Sequence, residues 1–492
     1  MSFTFCFSSI AVITSLALVI NYGLTTGGPV IMVWGWIVSC IFTLMIGASI
    51  AEICSVYPAA GSVYYWAGVL SHPDWAPINS FYCGWLNMIG NMACESSFAF
   101  GFAQVFSAII SLVNDGQVTL SDQKQVLIAI VTLIMWAIKN RLRLDQQGWY
   151  NNFSAIYQCI STIFLVTAII ICSSNVSSHE FVWTNYNNET GFESVIYVCM
   201  IGVLMSMYGM SGYESGATLA EETKNASHSA PRGIINSIIL SSVIGFIFIL
   251  GLLYSSQENI FKALNGVSQQ SVINIIDVTF TDEFSNERNY FASVTLSVIL
   301  MLNIFLAGFS HMTGTTRITY ALARDNGLPK SEWMKQLNPR TSNPDRVLLV
   351  VLIIDSLLCT LPLLSTLAFT AITSIATIGY QLSYAIPIFL RVTQSRKTFK
   401  QSLDYNIGKY SVINSWVSFL WLIISSLVLF FPLRYDPQQG ITAQNFNYTA
   451  SVMLGALMIA SIFWIFPLGN GARNYFRGPQ DLRKYNGEEI II

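Results

Sequence analysis

Charge is what this sequence has least of. Only 10% of its 492 residues are Asp, Glu, Lys or Arg, while 53% are hydrophobic. Soluble globular chains carry roughly 25% charged residues, so that class is excluded and a membrane protein is indicated. The net charge of −2 leaves no basic surface for nucleic acid. The nine cysteines all sit in or at the ends of apolar runs, and none forms a CxxC pair. They read as small apolar residues, which excludes a disulfide framework or a thiolate metal site. Histidines 72, 179, 228 and 311 are scattered and form no ligand set. Without a Ser/His/Asp set, a metal cluster or a phosphate loop, the sequence indicates neither an enzyme nor a cofactor.

What the chain does have is long apolar runs. Twelve are expected, at about 3–23, 29–54, 81–113, 123–139, 149–172, 193–220, 233–254, 290–322, 346–364, 366–391, 411–432 and 449–468. Most reach the roughly 20 residues that cross about 30 Å of hydrocarbon; the fourth and ninth are the shortest. The first lacks the basic start and small-residue cleavage site of a signal peptide and is kept as a span. With both termini on the cytoplasmic side, the inner loops and tail hold twenty of the 24 Lys and Arg residues. That asymmetry sets the expected orientation. Sequons at Asn175, Asn188 and Asn447 then fall outside, and those at Asn152 and Asn225 fall inside.

The stretch Ser206–Gly233 interrupts the sixth segment with Gly209, Ser211, Gly212, Ser215 and Gly216. Irregular backbone at membrane depth must line a polar cavity or be buried in protein, and a broken span points to a transporter's substrate site. A small-residue packing face is the plainer alternative. Segment 1 carries Ser8, Ser9, Thr14 and Ser15 in mid-span. These hydroxyls either bond back to their own helix or mark an unwinding. Segments 1 and 6 occupy matching places in two five-helix halves, which strengthens the second account. Glu95 lies well inside segment 3 and Asp355 inside segment 9. A carboxylate at that depth is a functional candidate by default; its plain alternative is a protonated, hydrogen-bonded Glu. Arg317 and Arg324 end segment 8 two turns apart. Either could snorkel, or pair with Glu52, Glu221 or Glu222 as an inner gate. The stretch from Ala51 to Gly68 bends at Pro58 and Gly61 and is expected on the interface or packed under the bundle. Segments 11 and 12 have no ionisable residue mid-span and read as scaffold or a homodimer face.

Four motifs carry a family resemblance: TTGGPVIMVWGW (25–36), AEICSVYPAAGSVYYWAG (51–68), GYESGATLAEETKNASHSAPR (212–232) and TGTTRITYALARDNGLP (313–329). Across nearly its whole length the chain resembles the amino acid–polyamine–organocation superfamily, in the branch of GABA and choline permeases. That resemblance implies an all-α polytopic membrane fold with 12 transmembrane helices. Two inverted five-helix repeats, about 1–172 and 193–392, form a core over 1–392. Peripheral helices follow at 411–468, then a cytoplasmic tail at 469–492.

The resemblance also implies a substrate site. Its carboxylate cradle falls on Ile13, Thr14 and Ser15, in place of the Gly-x-Gly of many relatives. The cationic head is met at Tyr208, Gly209, Met210, Ser211 and Gly212, with Glu95 beside them. Gating or coupling candidates are Glu52, Glu214, Glu221, Glu222, Arg317 and Arg324. The lysine that some proton-coupled relatives carry in segment 5 is absent. The expected function is secondary active transport of amino acids, GABA or choline by alternating access, with a proton as coupling ion. A transport-inactive sensor of the same ligands is the alternative. The plasma membrane is the expected location, with a vacuolar or other organelle membrane as the other option.

Overall fold

The computed structural model describes residues 2–479 apart from 142–143, 174–175, 223–224, 257–258, 263, 265–269, 282–288, 364–367, 436–445 and 467–470. The chain is all-α and polytopic. Among the described residues, ten helices are long and apolar enough to cross a membrane. Helices also stand at the two other expected places. Asp122–Asn140 is flanked by Asp122, Lys124 and Lys139, and Thr449–Ile465 is only 17 residues long.

Segment 3 (Ala76–Val113) is the axis of the bundle. It packs along segment 8 (Tyr290–Arg324) and segment 10 (Ala368–Thr393). Segments 3 and 10 meet at glycines: a Cβ on Gly379 would stand 2.7 Å from Gly90 Cα. Segment 4 (Asp122–Asn140) and segment 9 (Asp345–Leu358) join segments 3 and 8 to form one group. Segment 2 (Gly28–Val56) packs along segment 7 (Ala226–Ser256), with the first half of segment 1 against segment 7. Segments 1 and 10 are largely buried, whereas segments 5, 9 and 11 show most of their windows to the outside. An apolar helix can expose such a face only to lipid or to another protein.

The Gly-Gly-Pro turn between segments 1 and 2 has a direct physical cause. Gly27 and Gly28 adopt φ of 95° and 64°, a region that costs a side-chain-bearing residue. Pro29 sits in the first turn of segment 2, where a missing N–H costs nothing. The turn pairs antiparallel with the segment 5–6 connection, Thr26 with Asn188 and Gly27 with Asn187.

Two sequence-based expectations are refined. Ser62–Val69 is buried and packs on segment 3, so the aromatic stretch lies under the bundle. Asn175 lies outside the described residues. Asn447, expected as a loop sequon, is buried, and its amide donates to the Leu429 and Phe431 carbonyls at 3.0 and 2.7 Å. It caps segment 11 (Ser411–Val428) instead of standing free.

The glycine contact yields a test. Gly379→Val should force segments 3 and 10 apart and destabilise the protein by about 1–3 kcal/mol, as overpacking does. Thermal unfolding of the purified variant should show a lowered midpoint; an unchanged midpoint would mean that the helices part freely there.

Candidate substrate site between the broken segments

Segment 1 is two helices, Ser2–Ile10 and Val12–Thr25, separated by Ala11 at φ 46°. The break therefore lies at Ala11, and Ile13, Thr14 and Ser15 fall in the first turn of the second helix. The shift has a local cause. With no glycine in the stretch, alanine, whose side chain is the smallest, takes the left-handed turn. The Ser15 N–H is the first to close onto the turn, on the Ala11 carbonyl at 3.0 Å. The N–H groups of Val12, Ile13 and Thr14 thus stand at a helix start, where backbone donors lack helical acceptors and the dipole favours an anion. The hydroxyls of Ser9 and Thr14, either side of the break, are buried without a hydrogen-bond partner among the described residues.

Segment 6 consists of Val195–Gly202 and Leu204–Gly209, then an irregular passage, then a tight 3-10 turn over Tyr213–Glu222. Gly212 has φ 86°. A Cβ built there would meet Ser9 O at 3.7 Å, and His311 Nε2 and Tyr380 Oη at 3.9 Å, and nothing nearer. The two breaks thus face one narrow gap, with room for a methyl group at van der Waals distance, between segments 1, 6, 8 and 10. Cys6 Sγ donates to the Tyr213 carbonyl at 3.3 Å and ties the two irregular passages together.

The walls are polar where the helices break. The Gly212 N–H donates to Tyr384 Oη at 3.2 Å, and Tyr384 in turn donates to Glu214. Asn87 Nδ2 donates to the same carboxylate at 3.2 Å. Tyr380 Oη bonds His311 Nε2 and Asn91 Oδ1, each at 2.9 Å. Tyr208 shares a hydrogen bond with Ser97. A backbone carbonyl, phenol rings and an imidazole suit a cationic head, while the N–H groups after Ala11 suit a carboxylate. Asn87, Asn91, Tyr380 and Tyr384 were missed from sequence. Their only signal was a periodic polar face on otherwise apolar helices.

The remaining candidates are placed elsewhere. Glu95 is fully buried and lies against Thr315 and Asp355, on the side of segment 3 facing segments 8 and 9. Glu52 does not pair with Arg317 or Arg324. Its carboxylate is 3.6 Å from Arg391 Nη2 and accepts from Ser411 and from Gln401 Nε2, joining segments 2, 10 and 11. Arg391 sits in the last turn of segment 10, and sequence distance hid that pairing. Arg317 Nη1 donates to the Thr218 carbonyl at 3.4 Å, and Arg324 Nε is 3.2 Å from Asp325 Oδ1. The side chains of Glu221 and Glu222 lie outside the described residues.

A cavity of about 450 Å³ opens at the end of the bundle that holds the Gly-Gly-Pro turn. Tyr22, Gln104, Glu189 and Arg434 line it, and Leu18 and Leu204 lie on its wall. On segment 1 its lining runs from Thr26 to Leu18, seven residues short of the break at Ala11.

Two substitutions test this geometry. Tyr384→Phe removes the acceptor of the Gly212 N–H, so thermal unfolding should report a loss of about 1–3 kcal/mol. Arg391→Met leaves the Glu52 charge buried without its cation and should cost about 3–5 kcal/mol. Adding Glu52→Gln should recover most of the second loss; no recovery would mean that the two residues act independently.

Comparison with known proteins agrees with this architecture. The family described as "Amino acid permease" matches residues 2–459. The chain is 34% identical to the Arabidopsis thaliana protein named amino-acid permease BAT1, over 97% of this chain and 92% of that protein. The Oryza sativa homologue of BAT1 is 33% identical over 97% and 91%. A Saccharomyces cerevisiae protein named GABA-specific permease is 26% identical over 97% and 81%. Two interrupted spans around one polar gap, in a multi-pass helical bundle matched along almost its whole length, make this chain a member of the amino acid permease family, within the amino acid–polyamine–organocation superfamily.

Proposed function

We propose that the protein is a proton-coupled secondary active transporter for amino acids or related small nitrogenous solutes such as GABA or choline, working by alternating access. The observation that carries this reading is the gap at Gly212, where the breaks of segments 1 and 6 meet. A zwitterion there meets N–H groups at one end and carbonyl and ring faces at the other, which suits a carboxylate and an amine together. In this account two inverted five-helix repeats, 1–172 and 193–392, enclose the site, and helices at 411–468 stand beside them. Both termini are cytoplasmic, the membrane is the plasma membrane, and segments 11 and 12 supply a dimer face.

Glu95 serves coupling better than direct contact, because it lies against Thr315 and Asp355, whereas Tyr380, beside Gly212, is reached by its charge and not by a hydrogen bond. A buried carboxyl that gains and loses a proton can tie solute movement to a proton gradient.

The test is a solute panel in reconstituted vesicles, with and without an inward proton gradient. GABA, another amino acid or choline should accumulate under the gradient and leak back when a protonophore collapses it. Gly212→Leu should abolish binding and uptake alike, since a branched side chain fills the gap at a positive φ. Tight binding without uptake of any solute would identify a sensor, and accumulation driven only by sodium would refute proton coupling.

A further inference from the structure

Two intramembrane carboxyls, on different segments, face each other away from the substrate gap. Glu95 and Asp355 are both fully buried. Segments 3 and 9 touch here: Ser96 Oγ is 3.3 Å from Asp355 Oδ1, and Cys359 Sγ donates to the Ser96 carbonyl at 3.5 Å. The Glu95 side chain turns toward Asp355 and Thr315. Among the described residues no donor in hydrogen-bond geometry reaches either Glu95 oxygen or Asp355 Oδ2. Three buried oxygens aimed into one place are therefore unsatisfied, which a well-packed interior avoids unless something occupies them.

The surroundings identify the occupant. The other titratable groups facing the pair are Cys94 on segment 3, Cys359 on segment 9 and Tyr380 on segment 10. His311 lies one turn from Thr315 on segment 8, and segment 4 has no ionisable residue between Lys124 and Lys139. Among the described residues, no lysine or arginine acts on either carboxyl. Two bare carboxylates side by side at this depth would combine like-charge repulsion with full desolvation. A hard cation gathers about six oxygen ligands. The hydroxyls of Ser96 and Thr315 send their hydrogens to the Met92 and His311 carbonyls at 2.8 and 3.1 Å, and a proton held between the two carboxyls satisfies the bare oxygens without drawing those hydroxyls out of their helices. Segments 3 and 8 run as continuous helices here, and the Asp355 carbonyl, in the last turn of segment 9, accepts from the Cys359 N–H at 2.9 Å. A proton is the one cation that needs no cage.

A line of polar side chains leads from this pair to the substrate gap. Thr315 Oγ1 is 3.5 Å from His311 Nδ1, and His311 Nε2 is 2.9 Å from Tyr380 Oη. Tyr380 Oη is one of the atoms around the Gly212 gap. We propose that Glu95 and Asp355 together bind one exchangeable proton, and that Thr315, His311 and Tyr380 connect its occupancy to the gap at Gly212. The pair deepens the coupling half of the function proposed above and rests on that reading for its role in transport.

The experiment is pH-difference infrared spectroscopy of the purified protein in lipid vesicles, followed by proton-driven accumulation on the same samples. The wild type should show a protonated carboxyl band that disappears as pH rises. Because one proton is shared, Glu95→Gln and Asp355→Asn should each move or remove that same band, and Asp355→Glu should move it without removing it. An unchanged band in both Asp355 variants would overturn the pair. A band that responds to sodium at constant pH would make the site a metal-cation site and overturn the proton assignment. His311→Gln should keep the band but lose accumulation; undiminished accumulation would break the proposed connection. A wild type that shows the shared band yet accumulates no solute would sink the transport function and leave the proton pair standing.

Discussion

The structure depends on one constraint: backbone polar groups have no solvent at membrane depth, so a broken helix must find partners inside the protein. Two spans are broken here, at Ala11 and around Gly212. The partners recruited for them account for much of the polar interior. Tyr384 takes the Gly212 N–H, Glu214 holds Tyr384, and Asn87 holds Glu214. What remains unpartnered, the donors after Ala11 and the hydroxyls of Ser9 and Thr14, is where a solute can substitute for protein.

The same constraint explains why the helices divide into groups. Segments 3, 4, 8 and 9 pack together as continuous or nearly continuous rods, and the carboxyl pair lies among them. Segments 1 and 6 carry the breaks and contact segments 2 and 7. Tyr380 and Tyr384, on segment 10, stand between the two sets and touch both sides of the gap.

Much of this was legible in the sequence, and the failures have physical reasons. The apolar runs placed the segments, since hydrocarbon thickness fixes their length. The Gly-Gly-Pro turn and Gly212 could be read because positive φ selects for glycine. The break in segment 1 was misplaced by two residues because it uses alanine, which leaves no mark in the sequence. The Glu52–Arg391 pair was illegible because only tertiary packing brings segments 2 and 10 together. Asn87, Asn91, Tyr380 and Tyr384 resemble ordinary polar residues in a span until the fold sets them around one gap.

Asn447 shows how a motif and a fold can compete for one atom. Its amide nitrogen carries both hydrogen bonds that close the end of segment 11. A sugar attached to that nitrogen would replace one of its hydrogens and bring bulk into a buried corner. Glycan and closed corner therefore exclude each other. Should the chain pass a glycosylating enzyme, sugar at Asn447 would report molecules in which this corner had not yet closed, a record of folding order and not of sidedness.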